Sequence, residues 1–157
     1  MIIGLCIAFF IVIIDQLVKY WTINQIELHS SLPGIPQVYD FYYLRNTGAG
    51  WGILSGKMNL FYVATILILV YLVYLLYKTT PQQRLSQIAY GLLIGGALGN
   101  FIDRLLNGYV VDMFRLLFID FPVFNVPDMA LTFGVIILMI VILFDLEKEG
   151  AHDVTNI

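Results

Sequence analysis

Charged residues and cysteine are both scarce in this sequence. Of its 157 residues, 8 are Lys or Arg, 11 are Asp or Glu and 60% are apolar. A soluble domain usually has about a quarter of its residues charged, so the composition argues strongly against a soluble globular protein. It also excludes a disordered chain and a nucleic-acid-binding protein. The single cysteine, Cys6, lies in an apolar run and cannot form an internal disulfide.

Several common catalytic devices are missing or weak. The two histidines, His29 and His152, are not part of an HExxH pattern, so a zinc peptidase is not indicated. Cys6 has no histidine near it, and a thiol in an apolar segment is normally inert. Ser55 and Lys57 could form a Ser–Lys pair, but they lie two positions apart in a glycine-rich turn. We therefore expect no metal and no cofactor.

Long uncharged segments take up most of the chain. No charge occurs in residues 1–14, 58–77, 85–102 or 129–144. About 20 apolar helical residues cross a bilayer core of roughly 30 Å. We predict an all-α membrane protein, a single domain over 1–157, with spans at about 2–21, 58–77, 86–106 and 128–144. The first run has no basic n-region or cleavage site, so we expect it to be a retained span.

Two longer loops lie on the same side of the predicted helices. Residues 37–44, inside the loop of residues 22–57, are rich in Val, Tyr and Phe and follow two prolines. This composition predicts a short strand pair at the membrane surface. The second loop, residues 109–127, is partly apolar, and we expect it to lie on the membrane as a loop or short helix.

The polar residues gather at the membrane face that carries these two loops. They occupy the ends of the first and third spans, the two loops and the start of the fourth span: Asp15, Lys19, Arg45, Asn46, Asn100, Asp103, Arg104, Asp112, Asn125 and Asp128. Ionisable groups inside a membrane cost several kcal/mol and usually have a function. The sequence therefore predicts one polar site at one end of a helix bundle.

Some of these residues also have a purely structural interpretation. Asp15 and Lys19 are four positions apart on one helix and can form a structural ion pair. Asp103 and Arg104 can hold the following loop against the helix end. Both interpretations remain open from the sequence alone.

Asp112 and Asp128 are the candidate catalytic pair. One follows the third span and the other begins the fourth, and the loop between them is short. Two neighbouring carboxylates cannot both ionise cheaply, so they share a proton. One can then act as a base on a water molecule while the other protonates a carbonyl oxygen, which suits peptide-bond hydrolysis. Alternatively, Asp128 is only a helix N-cap and Asp112 an ordinary loop acid.

Two other classes of function fit the sequence less well than a peptidase. A carboxylate-bearing membrane carrier would have charged residues on both sides of a gate near mid-membrane, whereas these lie at one end. A non-enzymatic four-helix scaffold has no reason to group two aspartates with several asparagines.

Taken together, the polar stretches resemble the lipoprotein signal peptidase (signal peptidase II) family of four-span aspartic peptidases. The matching stretches are DQLVK at 15–19, NTGA at 46–49, GALGNFIDR at 96–104, GYVVD at 108–112 and FNVPD at 124–128. Each is weak alone, but their order and spacing cover nearly the whole chain. Pro127 departs from the small residue that is frequent there, and we expect a stiffer backbone before Asp128.

The resemblance implies a function and a set of site residues. The substrate would be a bacterial prolipoprotein with a diacylglyceryl-modified cysteine, cut on the N-terminal side of that cysteine. Asp112 and Asp128 fall at the catalytic positions. The positions that order the site or hold the substrate are Asn46, Gly48, Asn100, Asp103, Arg104 and Asn125.

The resemblance also implies a location and an orientation. The loop of residues 22–57 would form a small extracytoplasmic β-cradle, with the active site on the outer face of the bacterial cell membrane and both termini in the cytoplasm. A plain count of Lys and Arg points the termini outward instead. Beyond substrate and membrane lipid we expect no nucleic acid and no obligate protein partner, and therefore a monomer.

Overall fold

The structure is a computed structural model that describes residues 1–48 and 58–144. In chain order the elements are α1 (Ile2–Gln25), β1 (Ser31–Ile35), β2 (Tyr39–Asn46), α2 (Met58–Lys78), α3 (Arg84–Asn107), β3 (Val110–Leu116) and α4 (Val126–Phe144). All four helices are long and apolar enough to cross a membrane. The predicted fold class is therefore confirmed. Ser55, Lys57, His152 and the residues of the glycine-rich bend after Gly48 lie outside the described residues.

Two helix ends have clear local causes. Helix α1 continues past the predicted end at residue 21 and stops where Ile26 becomes extended, with its N–H still donating to Thr22 O at 3.0 Å. Helix α3 ends at Gly108, whose φ of 75° is left-handed and easy only for glycine. The N–H of Gly108 donates to Arg104 O at 3.1 Å. This cap turns the chain directly from α3 into β3.

Helix α3 is the centre of the bundle and contacts the other three helices. Its glycines permit the close approach of α1 that small-xxx-small spacing predicts. A Cβ on Gly91 would lie 2.5 Å from the carbonyl oxygen of Gly4, and one on Gly95 would lie 3.0 Å from Cα of Ala8. At Gly99 a Cβ would lie 2.6 Å from Oδ2 of Asp15. The polar end of α1 is thereby held against the polar end of α3.

The three strands form one antiparallel sheet in the order β1-β2-β3. The strand pair predicted in the first long loop does form, but residues 37–44 supply only β2, while β1 lies before them and contains Pro33. Residues 110–116, which we expected to belong to a surface loop, instead form β3 and pair with β2. A small apolar cluster of Ile26, Tyr43, Val111 and Met113 fixes the sheet against the end of α1. The pairing of Leu44 with Asp112 brings the carboxyl over the helix bundle.

Candidate active site

Asn125 connects the two candidate catalytic carboxyls. Its Nδ2 donates to Asp112 Oδ1 at 2.6 Å, and its backbone N–H donates to Asp128 Oδ2 at 3.1 Å. Asp112 lies on β3 and Asp128 in the first turn of α4. Both carboxyls line the same cavity. The structure thus brings together two acids that the sequence separates by a loop.

The start of α4 explains where Asp128 points. Helix α4 begins at Val126, and Oδ1 of Asn125 accepts a hydrogen bond from the N–H of Asp128 at 3.0 Å. With the return bond from Asn125 N–H to Asp128, this is a capping box. The interpretation of Asp128 as the N-cap is therefore wrong, because Asn125 is the cap and Asp128 is the third helical residue.

Asp112 is buried rather than solvated, so its interpretation as an ordinary loop acid is also wrong. Only 1% of its surface is exposed. Asn46 Nδ2 donates to Asp112 Oδ2 at 2.9 Å, so each oxygen of this carboxyl accepts one amide hydrogen bond. Burial raises the pKa of Asp112 to about 7, and the negative charge of Asp128 adds to this, while the two amides oppose it. Asp112 can therefore carry a proton near neutral pH.

A short chain of contacts leads from Asp112 to Arg104 through the end of β2. Oδ1 of Asn46 accepts from the N–H of Gly48 at 2.9 Å, which fixes the direction of the Asn46 amide. The carbonyl of Gly48 accepts from Arg104 at 3.2 Å. Asn46, Gly48 and Arg104 also line the cavity, so these three predicted site residues lie together beside the carboxyl pair.

Helix α2 adds two aromatic side chains that the sequence analysis did not identify. The guanidinium of Arg104 lies over the ring of Phe61, 4.6 Å from its centroid. The hydroxyl of Tyr62 donates to the carbonyl oxygen of Arg104 at 2.8 Å. Aromatic residues at the start of a span are typical of a membrane interface, so nothing in the sequence singled these two out.

Behind the carboxyl pair lies a buried ion cluster centred on Lys19. Its Nζ is 2.9 Å from Asp15 Oδ2 and 3.0 Å from Asp103 Oδ2. Asp103 also accepts from the N–H of Val111 at 2.9 Å, so it holds β3 against the end of α3. Gln16, which lies in the matching stretch at 15–19 but was not predicted as a site residue, donates to both Asp15 and Asp103.

Asn100 links this ion cluster to the carboxyl pair. Its Oδ1 accepts from Lys19 Nζ at 3.3 Å and from Asn125 Nδ2 at 3.0 Å. Its Nδ2 donates to Asp128 Oδ1 at 3.0 Å. Arg45, by contrast, lies apart from these groups, with its Nε donating to the Tyr43 hydroxyl and its guanidinium over the ring of Tyr109.

The cavity has a volume of about 410 Å³ and two chemically different ends. The polar end holds the two carboxyls with Asn46, Asn100 and Arg104. The apolar end is lined by residues of α2, α3 and α4, including Ile68, which is 54% exposed, and by residues 121–124 before α4. Neither Cys6 nor His29 lines it. Across residues 1–48 and 58–144, no group of three His, Cys, Asp or Glu side chains could hold a metal ion.

These features define a class of protein: a four-helix membrane protein whose polar cavity holds a paired-carboxyl, candidate hydrolytic site. The family described as signal peptidase (SPase) II matches residues 7–144. Lipoprotein signal peptidases of Staphylococcus aureus strains JH9 and Newman are each 43% identical over 153 residues, which is 96% of this chain and 94% of theirs. The chain belongs to the signal peptidase II family and is a membrane peptidase.

Two solved structures support the same assignment. Both are bacterial membrane enzymes determined by the in meso method, at 2.3 and 1.9 Å resolution. They match with TM-scores of 0.86 and 0.82 at 44% and 45% sequence identity. The matches cover 92% and 89% of this chain and 90% and 92% of theirs. The peptidase class predicted from the sequence is confirmed.

Proposed function

We propose that this peptidase removes the signal peptide from diacylglyceryl-modified bacterial prolipoproteins. The cut falls on the N-terminal side of the lipidated cysteine. The observation that carries the proposal is the position of Asn125, which hydrogen-bonds both Asp112 and Asp128 at the polar end of one cavity. The names of the relatives, which are lipoprotein signal peptidases, support this class of substrate.

The shape of the cavity suits a lipid-anchored peptide. Its lining includes Ile68 of helix α2, which is 54% exposed, so acyl chains can remain in the bilayer beside this helix. The peptide bond beside the modified cysteine then lies near the carboxyl pair, at the end of the helices. A substrate can enter sideways from the membrane without leaving it.

Hydrolysis would proceed by acid–base chemistry at the pair. Asp128 takes a proton from a water molecule, whose oxygen attacks the carbonyl carbon of the scissile bond. Asp112 gives its proton to the carbonyl oxygen, which produces a tetrahedral diol. The proton held by Asp128 then passes to the leaving nitrogen as the C–N bond breaks, and a diol hydroxyl returns a proton to Asp112. Both carboxyls regain their starting states and no covalent intermediate forms.

The assignment of acid and base follows the environments of the two groups. Asp112 is the acid, because burial raises its pKa to about 7. Asp128 is the base, since its carboxylate accepts a backbone N–H and the amide of Asn100 at the positive end of a helix.

The surrounding polar residues have two roles in this proposal. Asn46, Asn100 and Asn125 hold the carboxyls in place by hydrogen bonds. Gly48 and Arg104 border the cavity and present a backbone carbonyl and a guanidinium to a peptide backbone. Asp15, Lys19 and Asp103 form the frame behind them.

We further propose that the protein acts as a single-domain monomer in the bacterial cell membrane, with both termini in the cytoplasm and the sheet and site on the outer face. Reporter fusions test the orientation: a C-terminal alkaline phosphatase should be inactive and a C-terminal fluorescent protein active. The reverse pattern would contradict the orientation.

The function is tested with purified protein and one precursor in two forms, with and without diacylglycerol on the cysteine. We expect mass spectrometry to find a product that begins with the lipidated cysteine, formed only from the modified precursor. Equal cleavage of both forms, or a cut at another bond, would contradict the proposed substrate. Solute flux into liposomes without any cleavage would favour a carrier.

A further inference from the structure

We propose that Lys19 is a positioning residue for Asp128 and acts through the side-chain amide of Asn100. The inference rests on the proposed function, in which Asp128 is the base. Lys19 Nζ donates to Asn100 Oδ1 at 3.3 Å, and Asn100 Nδ2 donates to Asp128 Oδ1 at 3.0 Å. One amide therefore spans the space between a cation and the proposed base.

The direction of the Asn100 amide is fixed by partners that can only donate at that point. An ammonium group has three donors and no acceptor, so Lys19 requires the oxygen of the amide. The second donor to that oxygen is Asn125 Nδ2. The direction of Asn125 is itself set, because its own oxygen accepts from the N–H of Asp128. The NH₂ group of Asn100 must therefore face Asp128.

Lys19 is the charged one of these two donors. It is 2% exposed, and a charge in so dry an environment acts strongly on its neighbours. A donor with a positive charge polarises the amide that accepts from it, and hydrogen bonds in a chain strengthen one another. The bond from Asn100 to Asp128 is therefore stronger with Lys19 present than with a neutral side chain.

Lys19 is not the only charge near Asp128. The cations that act on Asp128 are Lys19 from α1 and Arg104 from α3. The nearby anions are Asp112 on β3 together with the two partners of Lys19, and the hydroxyl of Tyr62 on α2 contacts α3 beside them. Asp15 and Asp103 partly neutralise the charge of Lys19. Removing Lys19 and removing one of these partners should therefore shift the pH at which Asp128 ionises in opposite directions.

The experiment is the pH dependence of kcat/KM for diacylated precursor with wild type, Lys19→Met and Asp15→Asn. Loss of Lys19 should move the acidic limb to higher pH by about one unit, because ionised Asp128 loses a positive neighbour. Loss of the Asp15 charge should move the limb to lower pH, because Lys19 is then less neutralised. If Lys19 had a purely structural role, the two variants would lose activity, but the acidic limbs of their pH profiles would not move in opposite directions.

Thr22→Val is the matched control. Thr22 is buried on the same helix, and within residues 1–48 and 58–144 its hydroxyl bonds only to Val18 O of that helix. Its profile should match wild type. If Lys19→Met does not fold, Asp15→Asn still tests the inference, because this variant leaves Lys19 paired with Asp103. An acidic limb that stays in place or moves upward in Asp15→Asn overturns the inference. Failure of wild type to cleave would instead overturn the proposed function.

Discussion

Asn125 and Asp128 hydrogen-bond each other in both directions. The N–H of Asn125 donates to Asp128 Oδ2 at 3.1 Å, and the N–H of Asp128 donates to Asn125 Oδ1 at 3.0 Å. The cap of helix α4 and the proposed catalytic base are therefore parts of one unit. Fraying of this helix end and loss of catalytic geometry should occur together.

The first prediction concerns this shared unit. Asn125→Ala should lower the free energy of unfolding by about 1 kcal/mol, the usual effect of losing a helix cap. It should lower kcat/KM by about 10- to 100-fold, because hydrogen bonds to charged groups contribute about 1.5–3 kcal/mol. Detergent unfolding and precursor cleavage measure the two effects.

Asn24→Ala is the control for this prediction. Asn24 is exposed, and among the residues that the structure describes its amide bonds only to the carbonyl of Tyr20 one turn earlier in α1. It should leave cleavage unchanged. Equal activity of the Asn125 and Asn24 variants would show that the cap has no part in the chemistry.

The second prediction concerns pH and stability. Burial raises the pKa of Asp112 from its usual 3.8 to about 7. Between these values the folded protein binds the proton more tightly than the unfolded chain, so this group makes stability fall as the pH rises from about 4 to about 7. Melting temperatures across that range should fall more for wild type than for Asp112→Asn.

The other carboxyls are present in both proteins, so the difference between the two profiles reports the proton that Asp112 shares with Asp128. Parallel melting curves for the two proteins would show that Asp112 keeps an ordinary pKa. If wild type instead gained stability relative to the variant as the pH rises, the pKa of Asp112 would be lowered rather than raised in the folded protein. That result would contradict the burial of this carboxyl.

The third prediction concerns the contact between α1 and α3. Gly91→Ala should destabilise the protein by about 1–3 kcal/mol, because the new methyl would lie 2.5 Å from the carbonyl oxygen of Gly4. Leu106→Ala on the same helix is a control, since Leu106 is exposed. It should stay within about 0.5 kcal/mol of wild type. A Gly91 variant as stable as the Leu106 variant would mean that the two helices can separate at little cost.

The sequence predicted the helices better than the sheet. Long uncharged runs mark the spans directly, since hydrocarbon excludes charge along their whole length. Strand β3 gave no such signal, because Val110, Val111, Asp112 and Met113 are all buried and show no alternation. Its partner β2 also lies far away in the sequence, so only the folded bundle brings the strands together.

The candidate site was predicted as a group of residues but not as a set of bonds. Topology alone places Asp112 and Asp128 at one end of the bundle. Which residue caps α4 depends on the detailed geometry, so the sequence could not choose between Asn125 and Asp128. Phe61 and Tyr62 contact the site from helix α2 with their long side chains, and no sequence pattern distinguishes them from other interfacial aromatic residues.

The central claim is that Asp112 and Asp128 together activate water. Its most direct test is the rate of diacylated-precursor cleavage by folded Asp112→Asn and Asp128→Asn, with Asp40→Asn as the matched control. Asp40 is a carboxylate of the sheet that pairs with Arg115 and lies outside the cavity. We predict that each dyad variant loses about 10²- to 10⁴-fold in kcat, while the Asp40 variant cleaves as wild type does. Near-normal turnover by either folded dyad variant would contradict the mechanism.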